Sequence, residues 1–254
     1  MAQGADNRFD DFFVEPAYLS LKNHLYNYQV RKRAVRERLL RPGEGMTLEV
    51  GSGISPISPA TDRTVFTELF FSALRCLKAG LGAGHYVVAD ATRLPFNKAV
   101  FRSAVCSEVL EHIEDDLGAV GQMASVLEEV GCLIVTFPHR RDLFAVDDRF
   151  VGYHRRYELP EMIDLLEKSG LRSLSACNVL GPLEKLTMWA TAALLTTCSF
   201  TGSSSPAAGR GFRPPAGLVK AFDLINRLYV GLARIDDRIV PTRLATVLLV
   251  VAEK

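Results

Sequence analysis

The segment Leu48-Glu49-Val50-Gly51-Ser52-Gly53 runs from apolar residues straight into a Gly-x-Gly turn. Glycine has no Cβ, so a strand ending this way can turn tightly and let the backbone pass close to a ligand. Two further short β-branched runs end in an acid: Glu68 closes TVFTE, and Asp90 follows HYVVA. A carboxylate at the first position can accept bonds from both hydroxyls of a ribose, and one at the second can accept from an exocyclic amine. Position 56, where a dinucleotide fingerprint would place a third small residue, is Pro, which argues against an NAD site. Each feature alone would suit a ligand-free turn or cap. Together, on three successive strand ends, they point to one ligand-binding edge.

The groups that could react or hold an acceptor come later in the chain. His112 in EVLEH and His139 in FPHRR follow two more strand-like runs. A histidine there can serve as a base near neutral pH or simply bond a neighbour. Arg155 and Arg156 suit paired bonds to a carboxylate or phosphate, with ion pairing to Asp147, Asp148 or Glu158 as the structural alternative. Cysteines 76, 106, 132, 177 and 198 match neither a disulfide framework nor a zinc site, so a reducing compartment and no metal are expected.

These residues need a scaffold, and the hydrophobic pattern supplies one. TLEVG (47–51), TVFTE (64–68), HYVVA (85–89), SAVCS (103–107) and GCLIVTF (131–137) are apolar at nearly every position, the pattern of strands covered on both faces. LFFSALRCLKAG and LGAVGQMASVLEEVG read as helices between them, closed by Gly80 and Gly131. A helix opened by Pro160 and stopped by Gly170 follows, then strands at 172–179 and 245–254. Repeated βα units imply an α/β, doubly wound sheet. An N-terminal helical cap (1–46), a core (47–180), a helical insertion (181–244) and the last strand would make one domain across 1–254.

In this setting LEVGSG, the acid of FTELF, ADATRLPF and SEVLEHI resemble, in order and spacing, the motifs of class I S-adenosylmethionine-dependent methyltransferases. The nearest likeness is to the small-molecule branch that includes quinone-biosynthesis enzymes. The resemblance implies a Rossmann-like seven-stranded sheet with its last strand antiparallel, and S-adenosylmethionine as cofactor. It implies that Glu49, Gly51, Ser52 and Gly53 hold the methionine end, Glu68 the ribose, and Asp90 with Ala91 the adenine, with Ser107 approaching the methionine portion. It also matches GYHRRYE (152–158) to a segment after the fifth strand, which makes His154, Arg155, Arg156 and Tyr157 acceptor-binding candidates beside His112 and His139 as catalytic ones. The stretch 54–62, a full helix in that family, here carries Pro56 and Pro59.

The expected activity is therefore methyl transfer to a small-molecule or lipid-like acceptor, with O- or C-methylation favoured. Nucleic-acid methylation and a non-catalytic cofactor-binding regulator are the alternatives. Lys and Arg total 30 against 29 Asp and Glu, and the Asp/Asn-Pro-Pro-aromatic turn of nucleic-acid amino methylases is replaced by Ser107-Glu108-Val109-Leu110, so no nucleic acid is expected. A cytoplasmic protein is expected, since the N-terminus has no secretory pattern and the 15-residue apolar run Leu186–Phe200 falls short of the ~20 residues a spanning helix needs. The segment Lys22–Arg41 has seven cations against Glu37 alone, with Leu21, Leu25, Tyr28, Val35 and Leu39 able to line its other face. That keeps peripheral membrane contact open. The insertion's apolar run is expected to pack on these N-terminal helices.

Overall fold

The computed structural model describes residues 25–39, 45–144, 148–149, 152–185, 229–233 and 239–254. Seven strands form one sheet: β1 (Thr47–Val50), β2 (Thr64–Glu68), β3 (His85–Val88), β4 (Phe101–Ser107), β5 (Leu127–Pro138), β6 (Arg172–Leu180) and β7 (Val247–Glu253). Their order is β3-β2-β1-β4-β5-β7-β6. The first five run parallel, and β7 lies antiparallel between β5 and β6. The seven-stranded α/β sheet with an antiparallel last strand is as the sequence predicted. Strand order reverses between β1 and β4, so a crevice opens at the carboxyl ends of those two strands.

Four α-helices lie wholly within the described residues: α1 (Tyr26–Arg36), α2 (Phe71–Leu81), α3 (Asp116–Val126) and α4 (Leu159–Lys168). On one face, Leu48, Ala104, Cys106, Leu133 and Val135 pack with Met123 of α3 and Met162 and Leu166 of α4, all fully buried. On the other, α1 buries Tyr28, Val30 and Val35 against Val105, Ile134 and Leu249, while α2 covers Phe66 with Leu74 and Leu77. Burying each such side chain is worth ~1.5–3 kcal/mol, so α1 is anchored through its apolar stripe. That stripe faces protein. Its cations are also spent at home: Arg33 pairs with Glu37, Arg36 binds the Ile57 carbonyl and Arg38 the Ala34 carbonyl.

Tyr229 stacks on Tyr26 with centroids 5.4 Å apart, so this end of the insertion meets α1. The apolar run Leu186–Phe200 lies outside the described residues.

Two helix ends differ from expectation. Helix α2 runs through Gly80 to Leu81 and is capped by Gly82, whose φ of 73° suits a residue without Cβ and whose amide bonds the Lys78 carbonyl. Helix α3 stops at Val126 rather than at Gly131, because Leu127 already pairs with Phe101 as strand. Residues 128–131 then loop out before Cys132 pairs with Ser103. Helix α4 begins as its sequence suggests, with Pro160 in its first turn and a Glu158–Glu161 capping box.

Candidate active site

The β1 end of the crevice is built from backbone. Gly51 and Gly53 have φ of 69° and 53°, the left-handed region that costs other residues ~1–2 kcal/mol. A Cβ on Gly51 would lie 2.5 Å from Val109 Cγ2, whereas one on Gly53 would have nothing within 4 Å. Gly51 is thus a close-packing glycine, and Gly53 opens onto free space. The Ser52 amide donates to the Thr67 carbonyl at 3.0 Å, and its hydroxyl oxygen is buried without a partner. The Glu68 carboxylate accepts from the amide of Gly53 at Oε2 (2.9 Å) and from the amides of Leu69 (2.8 Å) and Phe70 (3.3 Å) at Oε1, which fixes its orientation and leaves a lone pair on Oε2. Asp90 is exposed; its Oδ1 accepts from the Thr92 amide and hydroxyl, each at 2.8 Å. Ala91 is half-buried beside it.

No helix forms between β1 and β2, and Glu49 explains how that stretch is held. Its buried carboxylate accepts from the amides of Ile57 and Ser58, each at 2.7 Å. From above, the Tyr28 hydroxyl donates to the Pro56 carbonyl (2.8 Å) and Arg36 Nε to the Ile57 carbonyl (2.6 Å). An irregular buried segment must find partners for its backbone outside itself, and here side chains supply them. Burial pushes the Glu49 carboxyl above the usual range, against the pull of those amides and of Lys32.

The β4 end is built from charge. The hydroxyls of Ser107 and Thr136 meet at 2.8 Å, and Thr136 Oγ1 donates to Glu108 Oε1 at 3.3 Å. Glu108 has φ of 54°, a strained value for a residue with a Cβ. Arg31 of α1 reaches across to pair with Glu108 at 3.3 Å. A single 3-10 turn, Leu110–His112, follows. Within it Glu111 is wholly buried, and neither carboxylate oxygen has a hydrogen-bond partner among the described residues. Burial, then the nearby Glu108, push its carboxyl well above the usual range.

Residues 152–157 lie over this turn. The His154 amide donates to the Glu111 carbonyl at 2.7 Å, and the Tyr157 hydroxyl to the Leu110 carbonyl (3.2 Å) and Asp116 Oδ2 (2.8 Å). His112 meets the Tyr153 ring edge-on at 4.8 Å, and burial lowers its pKa. The His154 side chain is exposed. For Arg156 the ion-pair alternative describes the geometry, and Arg155 pairs with an acid outside the three that the sequence suggested. Arg156 holds Asp148 through two bonds, 2.8 and 2.6 Å, with both residues buried. Arg155 holds Asp116 at 2.7 Å and the Glu114 carbonyl at 2.9 Å. His139 is likewise engaged, with Nδ1 at 3.0 Å from the Ala245 carbonyl and Nε2 at 3.2 Å from Glu158. Both of its nitrogens face acceptors inside the fold.

Sequence reasoning missed Glu108, Glu111, Tyr153 and Arg31. The signal for the first two was present: two acids three positions apart directly after a strand. Nothing local marked Arg31, which arrives from a separate helix.

Residues 48–135 match the family model described as a methyltransferase domain. No curated protein sequence matches the chain. Among solved structures, a possible histamine N-methyltransferase from Thermotoga maritima is similar at 15% identity and TM-score 0.63, covering 97% of this chain and 98% of that one. A phosphoethanolamine N-methyltransferase from Haemonchus contortus, solved with S-adenosyl-L-methionine, shares 15% identity at TM-score 0.56, over 88% of this chain and 52% of its own. The [4+2]-cyclase SpnF shares 18% at TM-score 0.59, over 88% and 80%. The solved structures establish the shared fold. The matched segment carries a methyltransferase domain within a sheet of order β3-β2-β1-β4-β5-β7-β6.

Proposed function

We propose that the chain methylates a small molecule that enters over the carboxyl ends of β4 and β5. The observation that carries this reading is the contact between Gly51 and Val109, which brings the turn after β1 and the turn after β4 together at the crevice. One turn suits the cofactor and the other an acceptor. The similar structures include N-methyltransferases and a cyclase, so the fold alone leaves the acceptor open.

The β1 turn fits S-adenosylmethionine. The buried, unpartnered Ser52 hydroxyl and the open space over Gly53 are what a close-lying ligand would use. In this reading Gly51, Ser52 and Gly53 present backbone to the methionine end, Glu68 takes the ribose hydroxyls, and Asp90 and Ala91 border the adenine. Ser107 borders the methionine portion from β4. Glu49 acts one step back, by holding the loop that continues from the turn. Bound there, the cofactor supplies a methyl group on a sulfonium that is its own leaving group. The protein's part is then alignment, exclusion of water and management of the acceptor's proton.

Calorimetry tests the reading. S-adenosylhomocysteine should bind and NAD should not. Incubation with labelled cofactor and cell extract, followed by mass spectrometry, should give a labelled small molecule. Binding of NAD in place of the nucleoside thioether would overturn the assignment.

A further inference from the structure

Resting on that reading of the site, we infer that the acceptor carries a protonated amine and that Glu111, with Glu108 beside it, receives the ammonium group. Three observations lead there. First, Glu111 is fully buried with both carboxylate oxygens unpartnered. A buried carboxylate without donors is costly, and native proteins keep one where a ligand completes it. Second, the cations around it are already answered. Arg156 is held by Asp148 through two bonds, and Arg31 faces Glu108. One carboxyl is therefore left without a cation among the described residues. An anionic acceptor would bring a like charge to Glu108 and Glu111, and a neutral hydroxyl would leave the Glu111 carboxyl no cation with which to ionise. Third, the turn bearing Glu111 is fixed against the cofactor turn, because Val109, between the two glutamates, packs on Gly51. The strained backbone at Glu108, with φ of 54°, is a further mark of a place held for function rather than stability.

An ammonium nitrogen has no lone pair and must shed a proton before it can attack a methyl group. Glu111 is the receiver at hand: the N–H bond breaks, the proton goes to a carboxylate oxygen, and the nitrogen keeps the electron pair. A carboxyl whose proton affinity is raised by burial is suited to that exchange near neutral pH.

The test is calorimetry on the full chain saturated with S-adenosylhomocysteine. Alkyl- and arylammonium ions of increasing size, from methylammonium to phenethylammonium, are titrated against their alcohol counterparts and against Mg²⁺. At least one ammonium should bind ten-fold or more tightly than its alcohol. Comparison of phosphate and Tris buffers at pH 7 should show up to one proton released per amine bound, whether the pair rests as carboxylate and ammonium or as carboxylic acid and amine. Glu111→Gln should lose ten-fold or more in ammonium affinity, together with the proton release, and keep its affinity for S-adenosylhomocysteine. Equal binding of alcohol and ammonium overturns the inference, as does unchanged affinity in Glu111→Gln, absence of any ammonium binding, or binding of Mg²⁺ in place of the amine. The buffer comparison on the unmutated protein decides the matter even if the variant does not fold. Failure of S-adenosylhomocysteine itself to bind would instead sink the methyltransferase reading.

Discussion

The two ends of the crevice each bury a glutamate, and they treat it oppositely. Glu49, on β1, has two backbone amides aimed at its carboxylate, each at 2.7 Å. The carboxylate oxygens of Glu111, after β4, have no hydrogen-bond partner among the described residues. Both carboxyls are pushed up by burial. Only one is spent on architecture. The contrast separates an acid that holds a loop from an acid that waits for something outside the chain, a distinction that burial alone would blur.

The largest effect should come from the frame of the β4 end. Arg156→Met leaves Asp148 as a buried charge without its two bonds, and denaturant titration should show a loss of ~3–5 kcal/mol. A loss below 1 kcal/mol would mean that this pair does not hold the segment over Glu111. Next comes Glu49→Gln, which replaces a charged acceptor of two amides by a neutral one. About 2 kcal/mol of stability should go, as the 57–58 loop loses its anchor. If Glu49 costs no more than a surface acid, the contrast with Glu111 collapses.

Gly53→Val sharpens the comparison from the cofactor side. Its Cβ meets nothing within 4 Å, so the change should cost only the ~1–2 kcal/mol of left-handed strain while abolishing S-adenosylhomocysteine binding in calorimetry. Retained affinity would place the cofactor elsewhere. The smallest effect belongs to Glu111→Gln, expected to gain about 1 kcal/mol at pH 8. The sign follows from proton counting. A raised carboxyl pKa means that the folded state holds a proton the unfolded chain has released. Stability from this group is therefore full below about pH 4.3 and declines as pH rises toward the folded value. Melting temperature against pH should fall less steeply in the variant than in the parent, and identical slopes would show that Glu111 does not titrate this way.

Much of the scaffold was legible because buried parallel strands read as unbroken apolar runs. TVFTE became β2 without a residue's change, and the glycine turn announced itself through residues that only a special backbone needs. The helix end at Leu127 was not legible. LEEV has helical composition, and what makes Leu127 a strand residue is pairing with Phe101, a tertiary fact. The same limit applies at the site. Arg155, Arg156 and His139 have the chemistry of binding groups, and their commitment to Asp116, Asp148 and Glu158 depends on neighbours brought in by folding. Conversely, no spacing reveals that an acid such as Glu111 will find no donor.

The placement of β7 has a consequence for how the molecule comes into being. Residues 247–253 are the hydrogen-bonded neighbours of both β5 and β6, and β6 pairs with no other strand among the described residues. While the chain is being synthesised, the block β3-β2-β1-β4-β5 can form early, yet β6 must wait through residues 181–246 before its partner exists. For that interval the nascent protein carries an open β5 edge and an unpaired strand, the kind of surface that chaperones shield and that seeds aggregation. Ribosome pausing within 181–246, or a nick there followed by loss of β7, would therefore fall on the stage of assembly least able to tolerate delay.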